Sequence, residues 1–117
     1  MSRLLGGSFG EEDYDLMPKK PSLLQHEQSG PYAELASLPN PRRYVIAFMP
    51  ALGAWLQRAE KQKGTDLSTV EVECIRDQAP AIALRPAQLK ALREDRGYDD
   101  VDPLRVYESW REFKSDL

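Results

Sequence analysis

Asn40-Pro-Arg-Arg-Tyr-Val-Ile-Ala-Phe-Met-Pro50-Ala-Leu-Gly-Ala-Trp-Leu56 contains the densest apolar stretch of the chain, and its period decides the fold. At 3.6 residues per turn, Val45, Phe48/Met49, Leu52, Trp55/Leu56 and Ala59 share one broad face, as in an amphipathic helix. Asn40 reads as the cap and Pro41 as the first helical position. Pro50 interrupts the pattern, because an interior proline loses a hydrogen bond and clashes with the preceding turn at a cost of about 3 kcal/mol. The sequence therefore predicts helix over 41–63. It either kinks near residues 46–50 or ends there and restarts at Pro50. Gly64 is the stop, after Lys61 and Lys63 at the helix's negative end.

Towards the C-terminus the signals are local and sharp. Ser68-Thr-Val-Glu71 is a capping box that opens a helix over 69–79, with Val72, Ile75 and Ala79 inward and Pro80 as terminator. Ala81-Ile-Ala-Leu84 is a short apolar link, either extended or one helical turn. Arg85-Pro86 opens a helix over 86–96, with Leu89 and Leu92 inward and Gly97 as its end. Asp102-Pro103 opens the last, over 103–115, with Val106, Trp110 and Phe113 on the buried face. Towards the N-terminus, Pro31, Tyr32, Leu35 and Ala36 suggest a short helix near 31–37. Residues 1–30 show no sustained period. The expected fold class is all-α: a small bundle of four to five short helices over 41–117, behind an extended, largely irregular arm over 1–40.

The 117 residues, 41% hydrophobic and 30% charged, suffice for one core. The net charge of −3 is unevenly placed. Residues 1–40 hold Arg3, Lys19 and Lys20 against Glu11, Glu12, Asp13, Asp15, Glu27 and Glu34, so the whole imbalance sits in the arm. An overall basic excess is missing, which makes nucleic acid an unlikely partner. Arg42, Arg43, Arg58, Lys61 and Lys63 are the one row that would line a helical side for it. No apolar run is long enough to cross a bilayer, and no secretory signal is read. A reducing, cytoplasmic setting is expected.

Catalytic sets are hard to assemble. The single histidine, His26, lies in the arm, and the single cysteine, Cys74, stands between Glu73 and Ile75. Neighbouring acids disfavour a thiolate, so Cys74 reads as a small half-buried hydrophobe. Asp99, Asp100 and Asp102 resemble a cation loop, but Pro103 stands where a flexible ligand belongs, and helix capping is the better reading. Glu71 and Glu73 point to different helix faces. We expect no enzyme, no cofactor and no metal.

What remains points to protein binding. The stretch Phe9-Gly-Glu-Glu-Asp-Tyr-Asp-Leu-Met17 sets the apolar anchors Phe9, Tyr14, Leu16 and Met17 among the acids Glu11, Glu12, Asp13 and Asp15. Such a segment suits folding on a basic, grooved partner. In the domain, Tyr98, Asp99, Asp100 and Tyr107 are the candidate partner contacts, since exposed aromatics are common interface anchors. The expected function is a small acidic protein-binding protein, of inhibitor, immunity or adaptor type, with a basic protein as partner. A structural or assembly subunit of a larger complex is the alternative.

Overall fold

The computed structural model describes residues 23–117. Residues 45–48 do not begin a helix. They form a strand and bring a sheet with them. The elements run β1 (Ser29–Pro31), α1 (Tyr32–Ala36), β2 (Val45–Phe48), α2 (Leu52–Lys63), α3 (Thr69–Gln78), β3 (Pro80–Leu84), α4 (Pro86–Arg96), a 3-10 turn (Pro103–Arg105) and α5 (Val106–Ser115). The order across the sheet is β1-β3-β2, antiparallel throughout. The all-α expectation is thus corrected: the described residues form a mixed fold of five helices and a three-stranded antiparallel sheet.

The physical reason lies in the opening stretch. Tyr44, Val45, Ile46 and Phe48 are β-branched or aromatic and pack well on a pleated surface. Met49 precedes proline, which pushes it out of the helical region, so helix cannot run up to Pro50 unstrained. The strand ends there, and α2 begins at Leu52 behind a cis Met49–Pro50 peptide. Asn40 caps no helix. Its side chain accepts from Tyr44 N–H (2.9 Å) and donates to Tyr44 C=O (2.7 Å), closing a turn in which Arg43 has φ 59°. Arg42 and Arg43 therefore sit in that turn, and the basic helical row expected with Arg58, Lys61 and Lys63 does not form.

The link at 81–84 is extended and central. Val45 pairs with Leu84, Ile46 with Ala83, Ala47 with Ile82 and Phe48 with Ala81. Cross-strand partners share a face. One face thus carries Phe48, Ala81 and Ala83, all buried, under the core helices. The other carries Val45, Ala47, Ile82 and Leu84. There α4 gives only partial cover, and its Leu92 shares a recess with Ile82 and Leu84.

The core joins Leu52 and Leu56 of α2, Val72 of α3, Trp110 of α5 and Leu67, Val101 and Val106 to the sheet. It also draws on residues before 40. Leu24 and Leu35 are 3% and 1% exposed, and Tyr32 stacks on Phe48 with ring centroids 5.1 Å apart. The chain before β1 adds to the sheet edge, with Ala83 N–H donating to Gln28 C=O (2.9 Å) and Glu27 N–H to Ala83 C=O (2.7 Å).

Several local readings hold. The Ser68–Glu71 capping box forms, Gly64 and Gly97 end α2 and α4 with φ 84° and 81°, and Asp102 caps the 3-10 turn by accepting from Leu104 N–H (2.9 Å). Cys74 departs from its reading: it is exposed, not half-buried. Among the described residues no helix is long and apolar enough to cross a membrane.

Candidate functional site

Gly97 stops α4 and turns the chain so that residues 98–102 pass between α2 and α5. Tyr98 then meets Phe113 edge-on, centroids 5.7 Å apart at 68°. The approach of α5 depends on Gly53 of α2, where an added Cβ would stand 2.5 Å from Phe113 Cζ. Asp100 reaches beneath the start of α2. Its carboxylate accepts from Leu52 N–H (2.7 Å), Gly53 N–H (2.9 Å) and Val101 N–H (2.8 Å), and Arg96 Nη1 lies 3.7 Å away. Ala51, at the N-cap of α2, provides no side-chain cap. An acid brought from 47 residues downstream in sequence therefore supplies it, with its charge at the positive end of the helix.

Around this joint opens a cleft of about 550 Å³, lined by Gln57, Tyr98, Asp99, Asp100, Ser109, Glu112, Phe113, Asp116 and Leu117. Four of the nine are acids and none is basic. Asp100 is spent on the cap. Asp99 and Glu112 have side chains 82% and 68% exposed, and their cations, Arg93 at 3.5 Å and Arg105 at 3.4 Å, are exposed too. Exposed pairs of this kind attract weakly, about 0–1 kcal/mol. The cleft keeps a negative potential over an aromatic floor, which suits a lysine or arginine side chain. No group of three histidine, cysteine or acidic side chains among the described residues could hold a metal ion.

A larger recess lies elsewhere. An open trough of about 1070 Å³ runs between α2 and α5. Its charges are mixed, and its two acids share one lysine: Lys114 Nζ lies 2.9 Å from Glu60 Oε2 and 3.1 Å from Asp66 Oδ1. Burial raises the Glu60 carboxyl, but the Lys114 bond and Leu67 N–H outweigh it and hold it below the ordinary carboxylate value. The Glu60 bond in turn raises Lys114. That network ties α5 to α2, while Arg58, Lys61 and Arg111 line the same trough without an ion-pair partner among the described residues and give it a basic excess.

Of the residues expected from sequence, Tyr98, Asp99 and Asp100 come together in the acidic cleft. Tyr107 does not join them. It lies on another side of α5, in a recess with Trp110 and Lys114, and Arg111 sits 5.9 Å over its ring. Phe9, Glu11, Glu12, Asp13, Tyr14, Asp15, Leu16 and Met17 lie outside the described residues. Sequence reasoning missed Ser109, Glu112 and Asp116; Phe113, expected in the core, packs partly buried against it and also floors the cleft. The signal was present: 109, 112, 113 and 116 are spaced as one helical face, and two of them are acids.

His26 is held in the fold. Its ring stacks on Tyr44 at 5.7 Å, and Nε2 lies 2.7 Å from Gln88 Oε1 and 3.2 Å from Arg85 Nη1. Cys74 is on the exposed side of α3.

Fold and site together define the class: a small mixed α/β protein with an acidic, aromatic-floored cleft between a loop and two helices. No protein-family model, no curated protein and no solved structure matches the chain.

Proposed function

We propose that this is a small acidic protein-binding protein, of the inhibitor, immunity or adaptor kind, whose partner presents a basic segment. The cleft of Asp99, Glu112 and Asp116 over Tyr98 and Phe113 carries the reading, because no basic side chain lines it. A lysine or arginine entering there gains from three solvent-facing carboxylates and two rings. Net affinity comes mainly from aromatic contact, and the carboxylates speed encounter and select the sign of the partner. The arm residues Phe9–Met17 repeat the same chemistry, acids interleaved with anchors, and are proposed as a second grip on the same basic surface. No cofactor enters this function. The exposed thiol of Cys74 favours a reducing, cytoplasmic setting. A structural or assembly subunit is the second reading, favoured by the half-covered sheet face at Ile82 and Leu84.

Titration of the full chain with a lysine- and arginine-rich peptide tests the first reading. Binding is expected to weaken with salt. It should drop about tenfold in the triple variant Asp99→Asn, Glu112→Gln, Asp116→Asn, consistent with about 0.2–1 kcal/mol per exposed charge. Affinity indifferent to both salt and these charges would overturn it.

A further inference from the structure

The start of β2, away from the acidic cleft, carries a cluster of arginines. Arg42 and Arg43 are exposed in the turn before the strand. The register that pairs Val45 with Leu84 places Tyr44 across from Arg85, so the three arginines gather at one end of the sheet. Their surroundings are ordered: Tyr44 is held by Asn40 and stacked on His26, whose Nε2 bridges Gln88 and Arg85. Among the described residues no carboxylate forms an ion pair with any of the three arginines. Glu27 follows His26. It is exposed, and φ 64° bends the chain there.

The chain also enters the described fold at this end. Leu24 N–H donates to Pro39 C=O (2.9 Å), beside Asn40 and the arginine turn. Eight residues upstream of Leu23 ends the densest run of acids in the protein, Glu11-Glu12-Asp13-Tyr14-Asp15. Eight residues of extended chain span up to about 26 Å, enough to return to the turn. A tethered ligand at such range acts at an effective concentration in the millimolar range.

We infer that Arg42, Arg43 and Arg85 form a binding patch for a carboxylate-rich peptide segment, and that the chain supplies one itself in Glu11–Asp15. Arginine suits the role because its planar fork pairs with carboxylates through two bonds. The inference rests on the proposed reading in one respect: the arm must prefer basic surfaces. Its consequence is regulatory. A basic partner has to displace the patch before it gains the arm, so the patch sets a threshold for engagement.

The probe is a synthetic peptide of residues 9–17, titrated at low salt into three full-length chains. The first is wild type. The second has Glu11, Glu12, Asp13 and Asp15 replaced by their amides. The third carries Arg42→Glu and Arg43→Glu. Both arginines are exposed turn residues, and circular dichroism confirms that the third chain folds. Arg85→Gln gives a milder check. The peptide is expected to bind the arm-neutralised chain about tenfold more tightly than wild type, because the competing segment is gone, and to lose binding to the arginine-reversed chain. Equal binding to the first two, together with self-association of wild type at low salt, assigns the segment to a neighbouring copy. No binding to the arm-neutralised chain, or binding that survives the arginine reversal, overturns the patch. The lysine- and arginine-rich peptide separates the two ideas. Unchanged binding of that peptide to the Asp99→Asn, Glu112→Gln, Asp116→Asn variant overturns the cleft alone and leaves the patch results standing, whereas equal binding of the 9–17 peptide to wild type and the arm-neutralised chain overturns the arm's docking on its own patch.

Discussion

Asp100 shows how one side chain can hold two elements and a site at once. It caps α2 through Leu52 and Gly53, fixes its own loop through Val101, and faces Arg96, with both charged side chains 15% exposed. Asp100→Ala is expected to destabilise the protein by about 1–2 kcal/mol, the range for a lost cap with its amides left unpaired. For a domain of this size that is a fall in Tm of roughly 4–16 °C. Asp100→Asn keeps an acceptor for the amides and should cost less. Thermal denaturation of the two variants checks the order, and equal losses would show that charge, not hydrogen bonding, is what matters there.

At the scale of elements, α3 is held at its start by chemistry that can be titrated. Glu71 accepts from Lys63 Nζ at 2.6 Å and from Ser68 N–H at 2.8 Å, and Ser68 Oγ accepts from Glu71 N–H at 3.2 Å. The Lys63 bond first, and the Ser68 amide second, lower the Glu71 carboxyl from 4.5 to about 2. A lowered folded-state value means the native state favours the ionised form. The stabilisation is complete above the unfolded value of 4.5 and is lost as pH falls towards about 2. Urea denaturation of wild type and Glu71→Gln across this window should show a stability gap that is widest above pH 4.5 and narrows on acidification. A gap independent of pH would mean that the carboxylate's ionisation contributes nothing.

The elements also differ in how legible they were. The starts of α3 and α4, the stops at Gly64 and Gly97 and the Asp102 cap could be read directly. Each rests on residues two to four apart that bond to one another whatever the rest of the chain does. The stretch 44–48 reads as helix because its apolar residues fit a helical period. Phe48 and Ala47 are both buried although they face opposite sides of the sheet, so the strand shows no alternation to betray it. The usable clues were Val45-Ile46 and the residue before Pro50, and they were outweighed by a period that fits either structure. The acidic cleft was half legible. Tyr98, Asp99 and Asp100 are adjacent in sequence, whereas Glu112, Phe113 and Asp116 join them only because Gly53 lets α5 close on α2.

For the whole molecule, residue 40 matters as a boundary of charge and not of packing. The net charge does change character there, but Leu24, Leu35 and Tyr32 lie on the arm side and pack into the core, and β1 pairs with β3. A chain beginning at residue 41 would bare the edge of β3 at Ala81 and Ala83, uncover the Phe48 ring where Tyr32 stacks on it, and lose two buried leucines. Each leucine lost from a core costs about 2–5 kcal/mol, so the truncated chain is expected to be unfolded, against a total stability of about 5–15 kcal/mol. Circular dichroism and hydrogen exchange would show this, and a cooperative, native-like transition in that chain would refute the packing role of residues 24–36.

By itself the sequence determined the helices after residue 50, their caps, the break at Pro50 and the lopsided charge, all through interactions between near neighbours. The tertiary structure alone decided that residues 45–48 and 80–84 are strands, that Asp100 serves a helix 47 residues away in sequence, that Cys74 faces outward, and that Tyr98 and Asp99 meet Glu112 and Asp116 in one cleft. The reason is range. A cap is satisfied within one turn of its own chain, while a strand has no partner until a distant segment arrives, and only then does an apolar run acquire a face, a register and an edge.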